Sequence, residues 1–211
     1  MCAVTLPIFM STVRQEVGNL LRAGAILHPV MDEDAHFRYG RVCAAQFVDL
    51  ALRRHLWFSY GGTHVGPRGL QVTRHPDPLD SPDPDEQLLL NVVFEGTGTT
   101  SIVRPRPLEW WNGPAKQASD GLKADGLGML RRRRYRVLRL LRELRTDMRL
   151  IARSSEQSWD SAPDVFRAGC SFAVLFNIDT AVPHWPMPPE EELFVPSMLS
   201  AAFNLALDIA T

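Results

Sequence analysis

The sequence predicts a mainly α-helical protein, folded as one compact domain with a small β-hairpin. Apolar residues recur at helical spacing in several segments, and proline- or glycine-rich loops separate these segments. Residues typical of β-strands cluster in one stretch near residue 60. Because 211 residues with 45% hydrophobic content suffice for one sizeable core, we treat 1–211 as a single domain.

The first two helices and the hairpin follow from residue spacing. Apolar residues at helical spacing predict a helix over 8–24, with Gly18 and Gly24 as weak points. The segment 32–58 opens with three acidic residues and then places apolar side chains along one helix face, which predicts a second helix. The following segment, 57–75, alternates β-prone runs with glycines and is typical of a hairpin or two short strands.

An acidic, proline-rich loop, "HPDPLDSPDPDE", precedes the next predicted helix. We expect that helix over 84–94, because proline is favoured in a first helical turn and Ser81 or Asp83 can cap it. The segment "EGTGTTSIVRPRP" that follows predicts a linker or loop.

Four further helices are expected in the second half of the chain. The first covers 108–127 and is interrupted at Gly113 and Pro114. An arginine-rich helix follows over 130–153, a very apolar one over 165–179, and a last one over 193–209.

The positive charge of the chain is concentrated in the arginine-rich segment. Ten arginines lie between residues 128 and 153, against Glu143 and Asp147, so this stretch carries +8. The whole chain sums to −1, which leaves −9 for the remainder. A polarised charge distribution of this kind indicates an interaction with something anionic or with another part of the chain.

On a helical wheel the arginine-rich segment separates into two faces. The apolar arc comprises Leu130, Val137, Leu138, Leu141, Leu144, Met148 and Ile151. The opposite face comprises Arg132, Arg136, Arg139, Arg142, Arg149 and Arg153. This pattern fits a core-packed helix with a solvated arginine face, and it also fits a surface that binds anionic lipid headgroups. The acidic remainder of the chain, with Tyr135 as the one aromatic among the arginines, argues against nucleic acid.

A catalytic alternative rests on the acidic loop 77–86, whose carboxylates could hold Mg²⁺ beside the arginines and handle a phosphorylated or isoprenoid substrate. The prolines between the acids keep them extended, however, so helix capping explains them more simply. Six scattered histidines and three separated cysteines show no metal-ligand spacing, and the sequence has neither a nucleophile elbow nor a phosphate loop. We therefore expect no catalytic residues, metal or cofactor, and reduced thiols in a cytoplasmic protein.

Four segments, taken in order, resemble the Golgi phosphoprotein three family. "RVCAAQFVDLALRRHLWF" (41–58) is similar to a family helix with an acidic-Leu-Ala-Leu-Arg core, and a β-hairpin follows in both. The family pattern is also similar to the loop and helix of 74–90. It further resembles the tryptophan-bearing segment 104–130, which contains a Leu-x-x-x-Gly element. The segment 162–179 matches a helix that starts with Asp and Arg before an apolar run. Together the resemblance covers about 41–180.

The resemblance implies a mostly helical, single-domain protein that is not an enzyme. Family members bind phosphoinositides or other anionic headgroups peripherally, and the Golgi members are adaptors that recruit glycosyltransferase tails. The arginine-biased composition indicates a divergent bacterial member. The membrane-entering hairpin of the family is replaced here by the arginine-rich segment.

The headgroup pocket of the family is altered in this chain. The corresponding positions are occupied by Asp34, Cys43, Asn112 and Ala115. Arg41 and Lys116 are the nearest basic residues that could substitute for the missing groups.

These observations predict a cytoplasmic, non-catalytic protein that binds an anionic phospholipid membrane surface or a protein partner. The alternatives are the helical enzyme and an oligomeric scaffold, in which the arginine face meets the acidic loop of a neighbour. The predicted anion-binding residues are Arg41, Lys116, Arg132, Arg136, Arg139, Arg142 and Arg149.

Overall fold

The computed structural model describes residues 12, 15–27, 35–60, 70–94, 100–103, 109–124, 131–153, 163–178, 199 and 202. Within these residues the fold is mainly helical, with a small antiparallel sheet, and the predicted fold class is confirmed. The helices are α1 (Leu20–Leu27), α2 (Ala35–Leu52), α3 (Pro84–Val93), α4 (Glu109–Ala124), α5 (Arg131–Arg153) and α6 (Pro163–Phe176). The strands are β1 (Leu56–Tyr60), β2 (Leu70–Arg74) and β3 (Thr100–Val103).

The predicted helix over 8–24 is divided in the structure. Residues 15–17 are helical, but Gly18 adopts a φ of 89°, which ends the turn, and α1 then runs from Leu20 to Leu27. Glycine adopts a positive φ of this kind more readily than any other residue. The Asn19 side chain caps the new helix, since its Oδ1 accepts a hydrogen bond of 2.9 Å from the backbone N–H of Arg22.

The central element of the core is α2, which packs against α6, α1 and β1. From residue 41 to residue 52 every side chain is buried, as expected for a helix surrounded by other elements. The helix ends in a Schellman motif: His55 N–H donates to the Leu50 carbonyl, and Arg54 N–H to the Ala51 carbonyl. Arg54 occupies the left-handed position, with a φ of 60°. The acidic residues expected in the first turn, 32–34, lie outside the described residues.

The predicted hairpin forms and gains a third strand. β1 pairs with β2 in the register Leu56–Arg74 to Tyr60–Leu70, and β2 pairs with β3, all antiparallel. The prediction of a loop or linker throughout 95–107 was therefore wrong at Thr100–Val103. Thr, Ile and Val favour a strand at this position once a neighbouring strand offers backbone hydrogen bonds.

Helix α3 begins as predicted at Pro84 and is capped by Asp83. Helix α4 continues through Pro114, so the predicted interruption was wrong within Glu109–Ala124. Proline in a helix interior costs about 3 kcal/mol. Pro114 is buried, and α4 packs against α1 and α3, so tertiary packing offsets this local cost.

The arginine-rich helix and the apolar helix after it form as predicted, as α5 and α6. Of the last predicted helix, residues 199 and 202 are described; both are helical and buried. The rest of that helix lies outside the described residues. Among the helices that the structure describes, no helix combines the length and the apolar character needed to cross a bilayer.

Candidate anion-binding surface

Helix α5 is buried along one side and exposed along the other. Val137, Leu141, Leu144 and Met148 are at most 1% exposed and belong to the hydrophobic core. The opposite side carries five exposed arginines, namely Arg132, Arg136, Arg139, Arg142 and Arg149. We call these five residues the arginine face. The amphipathic division predicted from the helical wheel is therefore present in the fold.

Two members of the arginine face are paired with carboxylates. Arg136 forms an ion pair with Glu16, which lies in the helical residues before Gly18. The Nε of Arg139 donates to Oε1 of Glu143 over 2.7 Å, one helical turn further along. This hydrogen bond raises the pKa of Arg139 above its usual value. Arg132, Arg142 and Arg149 form no ion pair within the described part of the chain.

The other two predicted anion-binding residues do not share one environment. Lys116 is exposed on α4. Arg41 is only 5% exposed, because it lies on the enclosed helix α2. Arg41 therefore lies apart from the exposed arginine face, and Lys116 is accessible on a different helix from that face. The anion-binding role of these two residues stays a prediction.

The acidic residues around the start of α3 form hydrogen bonds within the chain. Asp83 accepts backbone hydrogen bonds of 2.9 Å from Asp85 and Glu86, while Glu86 accepts one of 3.0 Å from the Asp83 N–H, which completes a capping box. The Nδ2 of Asn19 donates to Asp83 and Asp85, at 2.8 and 3.0 Å. The two helix caps, Asn19 of α1 and Asp83 of α3, are thus directly joined.

Two arginines neutralise this buried polar cluster from either side. The Nε of Arg22 lies 2.7 Å from Oδ2 of the buried Asp85. Arg53 contacts three carboxylates: Asp49 at 3.0 Å, Glu86 at 2.7 Å and Asp80 at 2.8 Å. We call Arg53 and these three acids the Arg53 cluster.

Burial and pairing act in opposite directions on the ionisation of the Arg53 cluster. Burial alone would lower the pKa of Arg53, but its hydrogen bonds to Asp80 and Glu86 raise that pKa above its usual range. Burial raises the pKa of Glu86, and pairing with Arg53 opposes this only in part. Burial also acts to raise the pKa of Asp80, yet hydrogen bonds from Arg53 and His55 bring it below its usual value.

This geometry bears on the catalytic alternative. Asp80 is engaged by Arg53 and His55, and Asp83 caps α3. Neither carboxylate is among the ion-pair partners of the arginine face, which are Glu16 and Glu143 in the described part of the chain. Within the described residues no group of three or more histidines, cysteines or carboxylates is arranged to hold a metal ion. These acids therefore act in the fold as caps and ion-pair partners.

The sequence did not predict three residues that bond to these acids or to Arg53: Asn19, Gln46 and Asp49. The buried side chain of Gln46 accepts from the Leu20 N–H at 3.0 Å and donates to Glu86 at 2.9 Å, and so links α1, α2 and α3. A polar residue within the apolar run of α2 is the only feature that could have indicated this role.

Comparison with family models, with curated proteins and with solved structures finds no match for this chain.

Proposed function

We propose that this chain is a non-catalytic, peripheral membrane-binding protein whose arginine face on α5 binds anionic lipid headgroups. The observation that carries the proposal is the exposure of five arginines directly opposite a fully buried apolar face. Because the apolar side is used by the core, α5 is held rigidly and its arginines need no folding transition before they meet a surface. The sequence resemblance to a family of peripheral headgroup-binding proteins supports the same function.

The arginine face should give a measurable preference for anionic over neutral vesicles. Each basic residue near an anionic membrane contributes about 1 kcal/mol. Arg136 and Arg139 are partly compensated by Glu16 and Glu143, which leaves three arginines with full effect. Three such contacts together contribute about 3 kcal/mol, or roughly a 150-fold preference for anionic over neutral vesicles. Arginine also offers a planar fork that can donate two hydrogen bonds to one phosphate.

Co-sedimentation with vesicles tests the proposal. The full chain is mixed with neutral phosphatidylcholine vesicles, or with vesicles that also contain phosphatidylglycerol, at low and at high salt. We expect binding to the anionic vesicles only, and a loss of binding near 1 M salt, where the Debye length falls to about 3 Å. Equal sedimentation with both vesicle types at low salt would remove the lipid-binding function.

A charge-matched pair of variants separates the arginine face from net charge. Arg132→Gln/Arg149→Gln removes two charges from the face and should weaken binding about 30-fold. The control, Arg54→Gln/Lys123→Gln, removes two exposed charges located elsewhere and should change binding several-fold less. Equal losses for the two variants would show that the arginine face has no special role.

A further inference from the structure

The arginine face has an acidic side. Arg136 is paired with Glu16, and Arg139 with Glu143. Asp147 lies four residues after Glu143, on the same side of α5, and is half-buried. We call Arg136, Arg139 and these three acids the acid-lined edge. An anionic membrane would meet three carboxylates there as well as two arginines.

The other side of the face contains no acid among the residues of α5 itself. Tyr135, Arg142 and Arg149 are all exposed and follow one another at seven-residue intervals, so they form a single row along α5. Helical neighbours three and four positions from them include no aspartate or glutamate. These neighbours are Arg131, Arg132, Leu138, Arg139, Arg145, Thr146, Ala152 and Arg153. We call Tyr135, Arg142 and Arg149 the acid-free stripe.

Tyr135 gives this stripe an amphipathic contact. It is 67% exposed, compared with 47% for Trp57 and 44% for Leu79, the other exposed large hydrophobic residues in the described part of the chain. Tyrosine is enriched where a bilayer meets water, because its ring is apolar and its hydroxyl remains hydrated. Arg132, which has no ion-pair partner in the described part of the chain, lies one helical turn before Tyr135, so the ring has a basic neighbour.

We infer that α5 lies along an anionic bilayer on its acid-free stripe, with Tyr135 at the boundary between headgroups and acyl chains and the acid-lined edge turned away. This inference rests on the proposed function and adds the side of contact and a shallow anchor. From Tyr135 to Arg149 the stripe extends about 21 Å, at 1.5 Å per residue, which suits a flat surface. The remainder of the chain, at −9, disfavours an extended polyanion such as nucleic acid, which would also meet the acidic surroundings.

Two charge-matched variants test the side of contact. Arg142→Gln/Arg149→Gln changes the acid-free stripe, whereas Arg136→Gln/Arg139→Gln changes the acid-lined edge by the same formal charge. At 0.15 M salt, where the Debye length is about 8 Å, the stripe variant should bind anionic vesicles about 30-fold more weakly than the unaltered chain. The edge variant should bind anionic vesicles at most about threefold more weakly than the unaltered chain. All four side chains are exposed, so both variants should keep the helical circular dichroism of the unaltered chain.

Substitution of Tyr135 tests the anchor. Tyr135→Ser should weaken vesicle binding about fivefold, and the loss should persist at every salt concentration where binding is measurable, because an apolar contact is not screened. Tyr135→Phe keeps the ring and should bind as the unaltered chain does.

The outcomes distinguish the inference from the proposed function. If the unaltered chain does not prefer anionic vesicles, the proposed function fails. If it does, but the edge variant loses as much as the stripe variant, or Tyr135→Ser binds normally, the inference alone is overturned. Tighter binding to a single-stranded oligonucleotide than to anionic vesicles would also overturn it.

Discussion

Removal of the Arg53 side chain should strongly destabilise the fold, because Arg53 neutralises two buried carboxylates. Its own side chain is 12% exposed, and those of Asp49 and Glu86 are each 3% exposed. Breaking a buried ion pair by removing one partner typically costs about 3–5 kcal/mol. Glu86 would keep hydrogen bonds from Gln46 and from the Asp83 backbone. We therefore expect Arg53→Met to lower the free energy of unfolding by about 3 kcal/mol.

Urea unfolding followed by circular dichroism measures this loss. A double-mutant cycle with Glu86→Gln should show a coupling energy of about 1–3 kcal/mol, since the neutral amide no longer needs the arginine. Exposed Arg54, the adjacent residue in sequence, provides the matched control: Arg54→Met should change stability by less than about 0.5 kcal/mol.

The deficit of Arg53→Met should also depend on pH. Burial already raises the pKa of Glu86 in the folded chain, and loss of Arg53 removes the effect that opposes this rise. A group with a raised folded pKa contributes stability that is fully present below its unfolded pKa, about 4.3 for glutamate, and is lost as pH rises through the folded pKa. The variant should therefore approach the stability of the unaltered chain near pH 4 and fall behind it towards pH 7. A loss below about 1 kcal/mol at pH 7, or a deficit that grows on acidification, would refute the role assigned to Arg53.

Two further predictions concern close packing and capping. A Cβ on Gly24 would lie 2.6 Å from Cγ1 of Val42 and closer still to Cγ2, so Gly24→Ala should cost about 1–3 kcal/mol in thermal or urea unfolding. Gly113→Ala is the control: apart from its chain neighbours, no atom lies within 4 Å of that Cβ. Alanine favours a helix more than glycine does, but a Cβ before Pro114 meets the proline ring, so stability should change by less than about 1 kcal/mol. A loss at Gly113 as large as at Gly24 would contradict the packing argument. Asp83→Ala removes the cap of α3 and the partner of Asn19, and should cost about 2 kcal/mol in urea unfolding. A neutral result for Asp83→Ala would show that the capping box contributes little.

Local rules were sufficient for the helices with clear boundaries. Pro84 and Asp83 combine first-turn proline with a capping carboxylate, and the period of 130–153 separates an apolar arc from arginines, so both α3 and α5 could be predicted. The break at Gly18 and the continuity of α4 through Pro114 could not. In both cases the local preference was correctly recognised, but the balance between that preference and tertiary packing depends on neighbours that are distant in sequence.

The candidate site, like the fold, could be predicted from the sequence only in part. Exposure of the arginine face follows directly from helix periodicity. The pairing of Arg136 with Glu16 does not, since the two residues are 120 positions apart. Burial of Arg41 could not be predicted either, because it depends on how many elements enclose α2. Periodicity defines a face, and tertiary structure decides which charges on it are compensated.

The hydrogen bonds and ion pairs that the loop acids form within the chain also matter for the oligomeric-scaffold alternative. That alternative needs the acidic loop of one copy to meet the arginine face of another. Asp83, Asp85 and Glu86 are already bonded within the chain, and Asp80 is shared between Arg53 and His55. An incoming arginine would have to compete with those contacts, at the cost of the caps that start α3. Among the described residues of the loop, Asp77 is the main acid that is not already engaged by a side chain or cap, which makes the scaffold a weaker proposal than the anionic surface.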